Sequence, residues 1–253
     1  MSDIEQTLST LIELSRELGA EHRHLAILGE GNTSAKLDDE TFLVKASGSS
    51  LGTLKDPDVV QCRFAPLMSL MKKASATDAE IDQALNGSRL RSDARRPSVE
   101  ALFHAWLLSL PGIRFVGHTH PNSVNAILCS QRAEEFTERR LFPDQIVCCG
   151  ESSILVPYCD PGLKLAQAVA GETERYLQKH GSAPRVILLK NHGIITLGAT
   201  VQAVQAAMFM TVKAAEIFLG AVSLGGPVYL SEGDIQRIAS RSDEHYRQRA
   251  LKL

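Results

Sequence analysis

The amino-acid sequence predicts a layered α/β fold built on a mixed β-sheet. Three observations predict it. Short apolar runs typical of strands recur along the 253 residues. Segments whose apolar residues repeat at helical spacing lie between several of these runs, and a strand, turn and strand near the N-terminus predict a hairpin. Hairpins combined with intervening helices indicate helices packed on a sheet of mixed strand direction.

The predicted elements follow in chain order. Asp3 can cap a first helix, which ends at Gly19 and carries one apolar side formed by Ile4, Leu8, Leu11, Leu14 and Leu18. Residues 34–48 ("SAKLDDETFLVKASG") are interpreted as two short strands joined by an acidic turn at 38–40. The polar residues 77–96 predict a short helix followed by a surface loop. Further strands are expected at 114–120, 145–149, 153–158 and 185–191, and further helices at 98–109, 122–130, 161–180 and 200–222.

The composition indicates one domain. A chain of 253 residues with 44% hydrophobic and 22% charged residues can bury one sizeable core. No internal repeat or proline-rich linker marks a boundary, so we expect residues 1–253 to form a single domain. The formal net charge is −2 and the basic residues are scattered, which argues against a nucleic-acid partner.

Cysteine usage and the N-terminus predict a cytoplasmic protein. The five cysteines are odd in number and lack CxxC spacing, and no basic stretch followed by an apolar run opens the chain. No apolar run is expected to reach the roughly 20 residues of a membrane helix. We assign the adjacent Cys148 and Cys149 to a buried strand, where their side chains point to opposite faces and make poor ligands for one metal. The cysteines are Cys62, Cys129, Cys148, Cys149 and Cys159.

Two histidines one residue apart stand in the segment "FVGHTHP" (115–121). Successive side chains of a strand alternate between faces, so His118 and His120 share one face, together with Val116. The pair lies at the carboxyl end of the predicted strand, where open α/β sheets place ligands, and Asn122 or Ser123 can cap the helix that follows. Two interpretations remain open at this point. The pair can be two core histidines satisfied by hydrogen bonds, or two ligands of a metal.

A third histidine, His192, follows the strongly apolar strand 186–189, again at a carboxyl end. Three neutral imidazoles with an open fourth position form a catalytic zinc arrangement. The chain's other histidines stand in polar surroundings, or, for His104, inside an amphipathic helix, where a solvated or capping role is expected. They are His22, His24, His104, His180 and His245.

Glu100 is the carboxylate that such a site would use as ligand or base. It stands in the first turn of the predicted helix 98–109, which leads through a turn into the strand carrying the two histidines. A glutamate at this position can also simply compensate the helix dipole, an effect worth about 0.3–1 kcal/mol.

Two glycine-rich segments, "GEGNTSAKL" (29–37) and "KASGSSLGTL" (45–54), offer an anion site. Glycines let backbone amides approach a ligand, and side chains such as those of Asn32 and Ser47 add donors. An ordinary hairpin with glycine-rich turns explains the same residues, and neither segment is a P-loop or a dinucleotide fingerprint.

The ordered motifs "GEGNTSAK", "KASG", "PSVE", "HTHP" and "KNHG" resemble the class II aldolase/adducin family, which includes zinc-dependent fuculose-phosphate and rhamnulose-phosphate aldolases. The resemblance runs from about residue 5 to about residue 246. It implies a single α/β/α domain with a central, largely antiparallel sheet, assembled as a homotetramer with active sites between subunits.

The resemblance also implies roles for particular residues. It makes His118, His120 and His192 ligands of one Zn²⁺ per chain, with manganese or cobalt left open, and Glu100 the catalytic acid/base. The matching phosphate-holding positions are Asn32, Ser47, Gly48 and Ser98. Tyr246 stands near the family's C-terminal catalytic tyrosine, although a surface tyrosine on an amphipathic end helix is an equal alternative. By this analogy Lys45 and Lys190 need no covalent role.

Three departures from the family pattern bear on the substrate. Val99 replaces a second serine after "PS", which removes one hydroxyl donor from the phosphate site. Pro143 or Asp144 falls near the family's mid-chain tyrosine. The segments "GNTSAKL" and "VPYCDPGLKLA" look like the aldolase half of long aldolase/dehydrogenase chains, so any reduction is expected from another polypeptide.

The expected function is therefore a zinc-dependent aldolase that cleaves a ketose or ketose phosphate through a metal-stabilised enediolate. A decarboxylase or epimerase of a sugar phosphate at the same site is the first alternative. A non-catalytic binding module of the adducin type is the second, and the retained histidines disfavour it. The expected partner is a small sugar or sugar phosphate.

Overall fold

The computed structural model describes residues 3–253, and it confirms the predicted fold class, an α/β/α layered arrangement with a largely antiparallel sheet. The strands are β1 (Asn32–Lys36), β2 (Thr41–Lys45), β3 (Val59–Arg63), β4 (Phe115–Thr119), β5 (Ile154–Val156), β6 (Val186–Leu189) and β7 (Gly193–Gly198). The helices are α1 (Asp3–Leu18), α2 (Phe64–Met71), α3 (Asp78–Ser88), α4 (Ala101–Leu108), α5 (Asn122–Leu128), α6 (Ala133–Glu138), α7 (Pro143–Cys149), α8 (Leu163–His180), α9 (Val201–Ser223), α10 (Glu232–Ala239) and α11 (Ser242–Ala250).

The seven strands form one sheet in the order β3-β2-β1-β4-β7-β6-β5. Every neighbouring pair is antiparallel except β5 and β6, which run parallel. β4 therefore lies in the middle of the sheet, between β1 and β7. This position places the predicted histidine strand next to the glycine-rich hairpin on one side and next to the His192 segment on the other.

Apolar side chains cover both faces of the sheet. Helices α2, α4 and α8 pack on one face of the sheet and share a first buried cluster. Helices α1, α5 and α9 pack on the other face and share a second one. Successive side chains of β4 point to opposite faces of the sheet, so Val116 belongs to the first cluster and Phe115 to the second. His118 follows the parity of Val116 and so faces the layer that contains α4.

The expected strand at 145–149 is wrong, because these residues form the end of α7. Pro143 occupies the first turn, where its missing N–H costs nothing, and Asp144 stands beside it in the same turn. The four apolar residues at 146–149 cannot distinguish a buried strand from a buried helix. Cys148 and Cys149 are buried as expected, but on a helix.

Other elements differ from the sequence expectation in smaller ways. Strands β3 and β7 and helices α2, α6 and α10 were not predicted. The predicted helix at 77–96 ends at Ser88, and a loop follows as expected. Pro121, rather than Asn122 or Ser123, is the N-cap of α5. Asp3 is the first residue of α1 rather than its cap, and whatever precedes it lies outside the described residues.

Helix α9 departs from the expectation that no apolar run reaches membrane length. Of the helices in residues 3–253, this 23-residue one alone is long and apolar enough to span a bilayer. One side of the helix packs against β7, α7 and α5, and a third of its apolar window is buried. Ala207 and Met208 of α9 are fully buried there.

Candidate metal and acid/base site

The three predicted histidines converge on one point. His118 is the fourth residue of β4, His120 follows directly after that strand, and His192 occupies the tight connection between β6 and β7. Their nearest ring nitrogens all lie within 4.8 Å of one another. The Nε2 atoms of His118 and His120 are 3.0 Å apart. The antiparallel pairing of β4 with β7 produces this convergence.

Hydrogen bonds fix how these rings are presented. The Nδ1 of His118 lies 2.9 Å from the carbonyl oxygen of Ile194, which can only accept, so Nδ1 carries a proton and Nε2 is the nitrogen that faces the cluster. The side-chain amide of Asn125 donates to the carbonyl of His192 at 2.9 Å and anchors that turn. A carboxylate oxygen of Glu30 lies 3.8 Å from Nδ1 of His120.

The donor set fits a divalent transition metal. Nitrogens at about 2.0–2.1 Å from a tetrahedral metal are separated by roughly 3.3 Å, and the Nε2 atoms of His118 and His120 lie near this separation, at 3.0 Å. Burial, together with the neighbouring His118 and His192, lowers the pKa of His120 to about 3. His120 is therefore neutral near pH 7, as a metal ligand must be.

Glu100 closes the fourth side of this cluster. Its Oε1 lies 3.4 Å from Nε2 of His118 and 3.3 Å from Nε2 of His192. Its Oε2 accepts a short hydrogen bond from the side-chain amide of Asn32. Burial alone would raise the pKa of Glu100, but the two histidines and their hydrogen bonds outweigh it and hold that pKa well below 4.5. A buried carboxylate is thereby kept ionised beside the three rings.

The glycine-rich segments meet beside this carboxylate. A bridge between Ala46 and Pro97 brings the segment of Ser47 alongside that of Ser98. Gly48 has a φ of +76° and no atom within 4 Å of where a side chain would stand, so its surface is open. The hydroxyl of Ser98 accepts from the amide of Glu100 at 3.3 Å.

Two details limit the anion site. The amide of Ser47 already donates to the carbonyl of Arg96 at 2.9 Å, so this N–H is engaged. Val99 packs with the α4-side cluster, its Cγ2 lying 3.7 Å from where a side chain on Gly162 would begin. The hydroxyls of Ser47 and Ser98 remain as donors, whereas the side-chain amide of Asn32 already donates one hydrogen to Glu100.

Tyr246 and His104 occupy places that the sequence did not settle or did not predict. Tyr246 is 70% exposed on α11, a helix that packs against α7 and α10. No hydrogen bond or ring contact joins it to the three histidines in the described chain, and its catalytic role stays a prediction. The solvated role expected for His104 is wrong, because this side chain is 0% exposed and hydrogen-bonded to Ser34 at 2.7 Å. Seven of the eight residues of α4 are buried, so the helix has no solvent-exposed side at that position.

Two further residues at the site, Glu30 and Asn125, were missed by sequence reasoning. Lys45, for which no covalent role is expected, is 1% exposed and donates to the carbonyls of Gly29 and Ser49. Burial lowers the pKa of Lys45 to about 8, although the charge of Glu100 acts in the opposite direction. The sequence signal for Glu30 is its position inside "GEGN", between the two glycines of that segment.

Known proteins share this chain's sequence pattern. The chain is 27% identical over 207 residues to the "Uncharacterized oxidoreductase YuxG" of Bacillus subtilis, covering 79% of this chain but only 27% of that protein. It is 27% identical to the 3-oxo-tetronate 4-phosphate decarboxylase of Haemophilus influenzae over 79% of this chain and 80% of that protein. It is 30% identical to the methylthioribulose-1-phosphate dehydratase of Pseudomonas aeruginosa over 66% of this chain and 72% of that enzyme.

Solved structures share its fold. The N-terminal class II aldolase domain of a Thermoplasma acidophilum protein superposes with a TM-score of 0.67 at 25% identity, covering 84% of this chain and 93% of that one. An L-fuculose 1-phosphate aldolase superposes with a TM-score of 0.70 at 19% identity, covering 96% of both chains.

The family model for the class II aldolase and adducin N-terminal domain matches residues 9–219. That match includes the three histidines, Glu100 and both glycine-rich segments. The chain belongs to the class II aldolase/adducin family.

Proposed function

We propose that this protein is a zinc-dependent lyase that cleaves a carbon–carbon bond of a ketose or ketose phosphate. The observation that carries the proposal is the ionised, buried carboxylate of Glu100 within 3.4 Å of two of three converging imidazoles. His118, His120 and His192 would hold the metal. Nitrogen ligands of this kind suit zinc, and a Lewis acid placed there polarises the carbonyl and hydroxyl oxygens of a sugar.

Glu100 carries the proton in this scheme. Retro-aldol cleavage removes the proton of the hydroxyl group beside the breaking bond, passes the bond's electron pair to an enediolate, and then delivers a proton to the enediolate carbon. Glu100 is the carboxylate nearest to the three rings, and Asn32 holds one of its oxygens so that the other faces them. Its pKa lies well below 4.5, so the carboxylate is ionised and has the lone pairs that a proton acceptor needs.

A phosphate group on the substrate is supported by the open Gly48 turn and by the hydroxyls of Ser47 and Ser98 beside it. The buried ammonium of Lys45 lies behind this turn and adds positive charge to it. Because Val99 supplies no hydroxyl, we expect this cradle to hold a phosphate through fewer donors than one with two serines.

Decarboxylation of a keto sugar acid phosphate is a second candidate. The Haemophilus influenzae decarboxylase matches this chain over most of both lengths, whereas the fuculose aldolase shares the fold at 19% identity. Both reactions generate an enediolate that the same carboxylate can protonate. The geometry of the histidines is compatible with aldol cleavage, with decarboxylation and with epimerisation.

Product analysis on metal-defined protein tests the proposal. Protein purified without a tag is assayed for zinc by elemental analysis and incubated with ketose 1-phosphates and with a 3-oxo-tetronate 4-phosphate. Aldehyde release with about one zinc per chain supports the lyase, and carbon dioxide release instead supports the decarboxylase. Protein that takes up no metal overturns both proposals and favours a binding module of the adducin type.

We also propose a homotetramer, as the family resemblance implies. The carboxyl half of α9 and the segment after it leave apolar side chains exposed, which is typical of a surface covered by another subunit. They are Ile217, Leu219, Val222, Leu224 and Val228. Light scattering on the purified protein measures the mass directly, and a monomer would contradict this assembly.

A further inference from the structure

The side chains of α4 and β1 meet at two levels. At the first level Asn32 of β1 holds the carboxylate of Glu100, the residue that caps α4. At the second level Ser34 of β1 bonds Nδ1 of His104 at 2.7 Å. Both pairs are buried, and both lie on the face of the sheet that carries His118.

The spacing of the two pairs matches the geometry of both elements. Residues four apart on a helix are separated by about 6 Å along its axis, and residues two apart on a strand by about 6.7 Å. Glu100 and His104 are four apart, and Asn32 and Ser34 are two apart. The two side-chain pairs therefore form two successive links between helix and strand, which we call rungs. Fixing one rung fixes the position of the other along the helix and the strand.

The chemistry of His104 indicates that a polar side chain is needed here for the hydrogen bond to Ser34. Its Nε2 is buried without a hydrogen-bond partner, so the ring is only half satisfied. An apolar side chain would fill the same place without leaving an orphaned nitrogen. The ring also stacks on Phe103, which contacts His118 edge-on with ring centroids 5.5 Å apart.

We propose that His104 is a positioning residue for Glu100, acting through its bond to Ser34 to set the depth of the α4 amino terminus against β1. The inference rests on the proposed function, since Glu100 is positioned for the proton transfer described there. Within residues 3–253, no hydrogen bond or ring contact joins His104 to His118, His120 or His192. Its effect reaches Glu100 through one turn of helix, in which the amide of His104 donates to the carbonyl of Glu100 at 3.2 Å.

Paired substitutions separate positioning from stability. His104→Leu or Ser34→Ala alone leaves one buried polar group without its partner and should lower both the thermal midpoint and kcat. The double variant removes both polar groups at nearly constant volume, so its stability should recover. Its kcat should stay at least about tenfold below wild type, as is typical when a supporting hydrogen bond around a metal site is lost.

The opposite face of β1 supplies a matched control. There Ser15 of α1 bonds Thr33 at 2.6 Å, and both side chains are fully buried. Ser15→Ala with Thr33→Val removes a helix-to-strand bond from the same strand but on the layer away from Glu100. This control should leave kcat within about twofold of wild type.

A spectroscopic measurement keeps the test independent of turnover. Co²⁺ is loaded in place of zinc, and its visible absorption reports the groups around the metal. The double variant should bind Co²⁺ with unchanged stoichiometry but shift the spectrum in the same direction as Glu100→Gln. His104→Asn, whose side chain can still bond Ser34, should restore both the wild-type spectrum and most of kcat.

The outcomes distinguish the two proposals. Wild-type protein that binds neither Co²⁺ nor zinc overturns the proposed function. If wild type binds Co²⁺ and the double variant keeps its spectrum and its kcat, the positioning role is wrong and His104 is a packing residue. A control pair that lowers kcat as strongly as the double variant overturns the inference as well.

Discussion

Asn32 and His118 lie directly opposite each other in the antiparallel pairing of β1 and β4. Their side chains share one face, and both reach the same carboxylate, Asn32 through Oε2 of Glu100 and His118 near Oε1. Two adjacent strands thus hold one acid between an amide and an imidazole. The register of this strand pair, more than any single side chain, determines where the proton carrier stands relative to the three rings.

Loss of a ring should remove the metal. His118→Ala or His192→Ala leaves two nitrogen ligands, which is too few for a stable site, and we expect zinc content and activity to fall to background. Elemental analysis after dialysis measures the loss. His180→Ala, at an exposed helix end, serves as the control and should retain wild-type zinc. Near-stoichiometric zinc in His192→Ala would contradict the three-histidine site.

Glu100→Gln should separate binding from chemistry. The glutamine keeps the shape of the side chain and can still accept the hydrogen bond from Asn32, so we expect normal zinc content. It cannot carry a proton at neutral pH, and kcat should fall by about 10²–10⁴-fold. Steady-state kinetics on the best substrate, alongside elemental analysis, measures both. Full activity in this variant would exclude Glu100 as the acid/base.

Much of the fold could be predicted because its periodic patterns are long or bounded by clear turns. The hairpin of β1 and β2 and the long helices α8 and α9 follow the sequence pattern closely. The error at 145–149 arose because a short apolar run carries no period, although Pro143 was a helix signal. The strand β7 was missed because "GIITLG" is short and does not alternate between apolar and polar residues, and its pairing with β4 is a long-range contact that local pattern does not contain.

Some features of the site could likewise be predicted from the sequence and others could not. The histidines and Glu100 could be named from motif order, but their convergence depends on β4 lying between β1 and β7. The expectation for His104 fails because an amphipathic pattern predicts a solvent-exposed side of the helix, whereas tertiary packing buries nearly the whole of α4. Asn125 acts through a backbone carbonyl on a distant segment, and no sequence pattern encodes that contact.

Gly193→Ala should disturb the metal site without touching a ligand. A Cβ at this position would lie 2.5 Å from the carbonyl oxygen of Thr119 and 2.6 Å from Cδ2 of His120. The backbone or the ring must move, so we expect weaker zinc affinity, measured by competition with a chelator. Gly171→Ala, where a Cβ meets open space inside α8, is the control and should bind zinc normally. Equal zinc affinity in both variants would show that the ring accommodates the added carbon.

The burial of His104 should make the metal-free protein less stable in acid. Burial, aided by the charge of His118 and Lys45 and opposed by that of Glu100, lowers its pKa from 6.5 to about 3. Below pH 6.5 the unfolded chain binds a proton at this residue that the folded chain does not. The free energy of unfolding therefore falls as the pH drops from 6.5 toward 3, by up to about 1.4 kcal/mol per pH unit, and this loss is absent above pH 6.5. The variant His104→Leu/Ser34→Ala lacks this group but keeps the other histidines. Urea unfolding of both chelator-treated proteins at about pH 5 and about pH 7.5 should show the smaller acid loss in the variant, and equal losses would mean that His104 takes up its proton in the folded state.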